Sequence, residues 1–121
     1  LGVVLYPTYS GSRLRREIKK YEASIQPDAM TAEDCRRLAN LYHTAGDLRS
    51  AVAKLERLVE LQPNDAFVRH DLGSLHLELG APEKACELFR EGLALTKKDK
   101  PALAELYEME LQRLEKAERG Q

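Results

Sequence analysis

AEDCRRLANLYHTAGDLRSAVAKLERLVELQPND, residues 32–65, is followed without a gap by AFVRHDLGSLHLELGAPEKACELFREGLALTKKD, residues 66–99. Sliding the chain by 34 residues (66 minus 32) superimposes Ala32 on Ala66, Leu38 on Leu72, Leu41 on Leu75 and Gly46 on Gly80. The same shift superimposes Ala51 on Ala85, Leu61 on Leu95 and Asp65 on Asp99. Chemically similar pairs fill the gaps: Ala39 with Gly73, Tyr42 with His76, Leu55 with Phe89. A fixed period of this size means a stacked repeat in which each unit needs its neighbours to bury an apolar face.

Two helical patterns recur in each unit. In the first, Cys35, Leu38, Ala39, Leu41 and Tyr42 repeat at three- and four-residue spacing, predicting a helix over about 31–45. Gly46-Asp47 breaks it, since glycine takes the positive backbone angle that ends helices. A partner helix over about 48–61 turns Ala51, Leu55 and Leu58 inward, with Val59 and Leu61 as further candidates for that side, and Pro63 lies just beyond its end. The second unit follows the same plan, with helices over about 66–79 and 82–95, a break at Gly80-Ala81, and Pro82 at a helix start where its missing N–H costs nothing. Small residues at Ala39, Gly73, Ala51 and Ala85 let two antiparallel helices approach, while Leu38, Leu72, Leu55 and Phe89 fill the layer beside them. Burying each of those large side chains stabilises by roughly 1.5–3 kcal/mol.

These residues resemble the tetratricopeptide repeat. The match rests on Leu38, Ala39, Tyr42, Gly46, Ala51, Leu55 and Pro63 in the first unit, and on Leu72, Gly73, Gly80, Ala85 and Phe89 in the second. Departures are Cys35 and Arg69, where the family often has Trp or another large apolar residue, Leu58 and Gly92 in place of a late Ala, and Lys97 in place of the terminal Pro. The resemblance implies an all-α solenoid of antiparallel helix pairs, about six helices in a right-handed superhelical stack, with no reaction of its own.

Outward from the repeats, the chain divides into an apolar arm or membrane-proximal stub at 1–12, a flanking helix at 13–31, units at 32–65 and 66–99, and a capping helix at 100–119. The arm opens with Leu1-Gly2-Val3-Val4-Leu5-Tyr6, and Pro7 with Ser10-Gly11-Ser12 is expected to break it. Six residues fall far short of the roughly 20 that span a bilayer. Arg13, Arg15, Arg16, Lys19 and Lys20 follow with only Glu17 opposing, a pattern that fits the cytoplasmic end of a membrane tether preceding Leu1 and equally the outer face of a helix. Ile18, Tyr21 and Ile25 share one face of the flanking helix. The capping helix carries Leu103, Leu106, Tyr107, Met109, Leu111 and Leu114 on an otherwise charged surface.

Composition narrows the function. The 121 residues are 43% hydrophobic and 32% charged, which disfavours both disorder and a membrane-embedded chain. Lys+Arg 19 against Asp+Glu 20 gives a net charge of −1, against the strong basicity of a general nucleic-acid binder. Cys35 and Cys86 read as small hydrophobes in a reducing compartment, with cytoplasmic localisation the default and membrane anchoring the alternative. His43, His70 and His76 lie in no metal-ligand spacing, and His76, at the Tyr42 position, is expected to be packed and hydrogen-bonded. No nucleophile elbow, phosphate loop or zinc-protease motif occurs, so no cofactor, metal or catalytic residue is expected.

The family resemblance implies binding of a peptide or protein in a concave groove lined by each unit's first helix. That face maps to Glu33, Arg36, Arg37, Asn40, His43 and Thr44 in the first unit and to Phe67, His70, Asp71, Ser74, Leu77 and Glu78 in the second. Arg36 and Asn40, four apart, share a helical face, where an Asn amide can both donate to and accept from a peptide backbone. Some family members clamp a carboxylate with such a pair, but Asp71 and Glu105 would repel one here. Solvated helix faces without a ligand are the plain alternative. A self-associating scaffold, or homo-oligomer, built on the incomplete end helices and the Leu1–Tyr6 arm is the other reading.

Overall fold

A computed structural model describes residues 2–97 and 99–120, with side chains from Gly11 onward. Leu1, Lys98 and Gln121, and the side chains of the Leu1–Tyr6 arm, lie outside the described residues. Six α-helices account for most of the described chain: α1 (Gly2–Ala23), α2 (Ala32–Thr44), α3 (Leu48–Leu61), α4 (Ala66–Glu78), α5 (Pro82–Thr96) and α6 (Pro101–Glu118). They fall into two compact units, Leu1–Leu61 and Gln62–Gln121.

Local chemistry sets the helix ends. Thr31 caps α2 reciprocally: its hydroxyl accepts from the Asp34 N–H at 3.1 Å, and its own N–H donates to the Asp34 carboxylate at 3.0 Å. Asp65 caps α4 by accepting from the Phe67 N–H at 3.0 Å. Gly46 and Gly80, at φ 78° and 77°, stop α2 and α4 in the left-handed region that glycine enters without steric cost.

In the first unit α1 packs on α2 and α2 on α3. The break expected at Ser10–Ser12 is absent, and α1 runs on from Gly2 to Ala23. Gly11 serves contact rather than turning: a Cβ there would lie 3.5 Å from the Ala45 carbonyl oxygen, within ordinary van der Waals range. Ile18, Cys35, Leu38, Ala39, Tyr42, Ala51, Val52, Leu55 and Leu58 are buried. Across this packing runs a polar seam: the Tyr42 hydroxyl donates to Glu22 at 2.7 Å, and Lys54 forms an ion pair with the same carboxylate. One residue from each of the three helices is thereby tied to the others. Partial burial pushes the Glu22 carboxyl up, but the Lys54 and Tyr42 hydrogen bonds and the nearby lysine charges outweigh it and hold it below its ordinary value.

In the second unit α4 packs on α5 and α5 on α6. Ala66, Ala85, Cys86, Phe89, Leu103, Tyr107, Leu111 and Leu114 form one buried cluster. Two glycines make room for its rings. A Cβ at Gly73 would fall 2.5 Å from Phe89 Cε1, and one at Gly92 would fall inside the contact distance of the Tyr107 ring. The missing late alanine at Gly92 is therefore the space that Tyr107 occupies, and the Tyr107 hydroxyl reaches through it to donate to the Ala66 carbonyl. Arg69, standing where a large apolar residue was expected, folds its guanidinium back to the Pro63 carbonyl at 2.5 Å and to Glu91 at 3.3 Å. Fully buried Thr96 donates to the Gly92 carbonyl at 3.0 Å, so α5 closes without the terminal proline.

The apolar face read on α6 divides. Leu103, Tyr107, Leu111 and Leu114 are buried, whereas Leu106 and Met109 stay 39% and 64% exposed. α2 and α4 each have the following helix against them, while α6 packs on α5 along one side.

The crossings trade volume between the units: Ala39 with Leu55 in the first, Gly73 with Phe89 in the second. Gly73→Ala is expected to destabilise the chain by about 1–3 kcal/mol through overpacking. The double change Gly73→Ala/Phe89→Leu, which copies the first unit, should cost at least about 1 kcal/mol less than the sum of the singles in a urea-melt cycle. Because the folded pKa of Glu22 is depressed, its contribution to stability is present above the unfolded value near 4.5 and is lost as pH falls through the folded value. Glu22→Gln should therefore flatten the acid limb of stability against pH.

Candidate functional site

The residues proposed for binding lie on the first helix of each unit. On α2, Glu33, Arg37, Asn40, His43 and Thr44 are exposed and Arg36 is half-buried. Arg37 is ion-paired one turn back with Glu33 at 3.6 Å, and its guanidinium donates to the Tyr21 hydroxyl at 3.5 Å. The Thr44 hydroxyl donates to the Asn40 carbonyl at 3.0 Å, fixing that end of the row. Tyr21, read from the sequence as part of the flank's apolar face, is 37% exposed and belongs to this polar surface. Nothing in its spacing distinguishes it from Ile18, which is buried.

On α4, Phe67, Asp71 and Glu78 are exposed, and His70, Ser74 and Leu77 are half-buried. Leu77 packs against the core cluster of its unit. Phe67 is 53% exposed, and the Lys100 ammonium stands 5.3 Å from its ring centroid, a cation–π arrangement. Lys100 was absent from the sequence reading of the site because it lies outside the repeats and approaches only when α6 docks.

His70 sits at the edge of the core. Its ring centroid is 5.7 Å from that of Phe89 and 5.8 Å from that of Tyr107, the latter edge-on. The Asp71 carboxylate, 3.8 Å from Nδ1, raises the His70 pKa above its ordinary value, partial burial opposes the rise, and Glu110 adds to it. Tyr107 beneath it is pushed up to about 12, chiefly by burial. His76 differs from expectation: it is packed, but its Nε2 is buried with no hydrogen-bond partner among the described residues. Tyr42, one period earlier, carries its hydroxyl beyond the ring to reach Glu22, whereas imidazole ends at the ring itself.

Cys35 and Cys86 are buried free thiols whose pKa values burial pushes up, so the reactive thiolate is disfavoured at both. Among the described residues no group of three or more His, Cys, Asp or Glu could hold a metal ion. No described helix is long and apolar enough to cross a membrane.

Paired helices ended by left-handed glycines, with small residues at their crossings and a polar row left on each first helix, define a helical-repeat protein. The tetratricopeptide-repeat family profile matches residues 42–110, and the chain belongs to that family. Over 94 residues it is 35% identical to the aspartyl/asparaginyl beta-hydroxylase of Mus musculus and 31% identical to that of Homo sapiens. Those alignments take in 74% of this chain but 13% and 12% of the two relatives. The chain thus spans about an eighth of the length of the hydroxylases it matches.

His70 gives a test of the electrostatics. Its raised folded-state pKa means that protonation stabilises the fold below the unfolded value near 6.5, an effect lost as pH rises through the folded value. An NMR titration of the imidazole should show Asp71→Asn moving the His70 midpoint downward.

Proposed function

We propose that the chain is a non-catalytic binding module in which each unit offers the exposed face of its first helix, α2 in the first and α4 in the second, to a peptide or protein segment, the faces the family resemblance assigns to a concave groove. The observation that carries this reading is Phe67. It is a large apolar side chain left 53% exposed beside a cation, on the same helix row as half-buried His70 and Ser74. Exposed aromatics with an adjacent charge are the side chains on which binding energy concentrates at interfaces. On α2, Arg36 and Asn40 supply charge and a two-way amide hydrogen-bonding group one turn apart. Partner identity stays open within the class of polypeptides, with no nucleic acid, cofactor or metal in the proposal.

The likeness to aspartyl/asparaginyl beta-hydroxylases supports a second, narrower reading. In it the segment held contains aspartyl or asparaginyl side chains, and any reaction on them belongs to a separate catalytic domain. The matched portion is 13% and 12% of those relatives, and the binding role proposed for it rests on its tetratricopeptide-repeat fold.

Peptides selected from a displayed random library should bind the wild-type chain and lose at least about tenfold in affinity, roughly 1.4 kcal/mol, with Phe67→Ala or with Arg36→Ala/Asn40→Ala. The helical melt should be unchanged in both variants. Selected peptides that bind both variants as tightly as the wild type would remove these faces from the site. Enrichment of Asp or Asn in the selected sequences would favour the narrower reading.

A further inference from the structure

Two neighbouring groups on α4 are occupied by the chain itself, one by a permanent cation and one by a group that becomes a cation on protonation. The Lys100 ammonium stands 5.3 Å from the Phe67 ring centroid. One turn along, the Asp71 carboxylate has His70 Nδ1 as its partner at 3.8 Å. Phe67 and Asp71 are four residues apart, which puts them on one helix face with Cβ atoms roughly 5–6 Å apart. Each still has room for a further group, because Phe67 is 53% exposed and the Asp71 side chain 55% exposed. That exposure persists with the following helix α5 packed on α4, so it belongs to the complete unit.

We propose that this pair is the seat for an arginine side chain of the bound segment, its guanidinium stacked on Phe67 in place of Lys100 and its edge donating to Asp71 in place of His70. The seat rests on the binding function proposed above and names the side chain which that function reads. Arginine fits both groups at once: the flat face of its guanidinium stacks on an aromatic ring while its in-plane N–H groups donate to a carboxylate. A lysine ammonium is a single point charge without that planar fork. An acidic side chain would meet Asp71 with like charge.

The present occupant of Asp71 makes the seat depend on pH. His70 is faced by Asp71 on its own helix, by the uncharged Phe89 ring on α5, and by Tyr107 and Glu110 on α6, the last paired with Arg113. Asp71 raises the His70 pKa, so imidazolium holds the carboxylate below the folded midpoint and gives it up above. An arginine that takes Asp71 removes this support and drives the proton off His70. By reciprocity, affinity for the arginine rises with pH through the His70 midpoint.

Histidine-free peptides selected on the wild-type chain from a displayed random library are the probe. They should share an arginine, and its replacement by citrulline, which keeps the shape and removes the charge, should weaken binding at least about tenfold. Asp71→Asn should weaken binding roughly fivefold, whereas Lys100→Gln, by clearing the ring, should tighten it roughly two- to fivefold. Calorimetry in buffers of different ionisation enthalpy should count up to one proton released per peptide bound near the His70 midpoint. His70→Gln should flatten the rise of affinity with pH, and so should Asp71→Asn, whose side chain is 55% exposed and outside the core. Peptides that tolerate citrulline, weaker binding in Lys100→Gln, or affinity that falls as pH rises would each overturn the arginine seat and leave the binding function standing. A library that yields no binder overturns both.

Discussion

Two helices can approach only as closely as the side chains at their crossing allow, and the second unit depends on that limit most sharply. Gly73 takes the edge of Phe89, and Gly92 takes the ring of Tyr107, whose hydroxyl then reaches the Ala66 carbonyl. A side chain at either glycine would displace an aromatic ring from a close-packed cluster. The polar end of Tyr107 is buried, so its bond to Ala66 both satisfies the hydroxyl and ties α6 to the start of α4. His70 rests on the same two rings, so this part of the α4 face is continuous with the core.

The first unit meets the same geometric demand with different chemistry. Ala39 and Leu55 replace the glycine and the phenylalanine, and the fully buried aromatic, Tyr42, anchors the helices through a carboxylate instead of a backbone carbonyl. The Tyr42–Glu22–Lys54 seam takes that role, holding α1 to α2 and α3 through a half-buried carboxylate. A carboxylate in that setting is favourable only while both partners are present, since either loss leaves a charge short of compensation. One repeat is thus pinned by shape and the other by charge, although the two share a period.

Much of this was legible in the residues. The period, the glycines at 46 and 80 and the placement of α2 to α5 follow from local rules, namely spacing, capping and the left-handed freedom of glycine. The α1 start was not, because Pro7 and Ser10–Ser12 carry a breaking signal that local propensity alone cannot weigh against the packing of Gly11 on Ala45. On α6 the spacing of Leu106 and Met109 is as apolar as that of Leu103 and Leu111, and no periodicity distinguishes a covered leucine from an uncovered one. The candidate site divides in the same way. Phe67 and Asn40 could be placed on a helix face from spacing, but Tyr21 beside Arg37 and Lys100 beside Phe67 join across elements remote in sequence.

The sequence by itself determined the repeat, its family and the ends of the inner helices, because these depend on interactions within a few residues and on a pattern stated twice. Only the tertiary structure decided why Gly92 is glycine, where Arg69 finds its partners, that His76 Nε2 is buried without a hydrogen-bond partner among the described residues, and which side of α6 packs on α5. Each of those depends on what a neighbouring helix places opposite the residue, and that is a property of packing rather than of spacing.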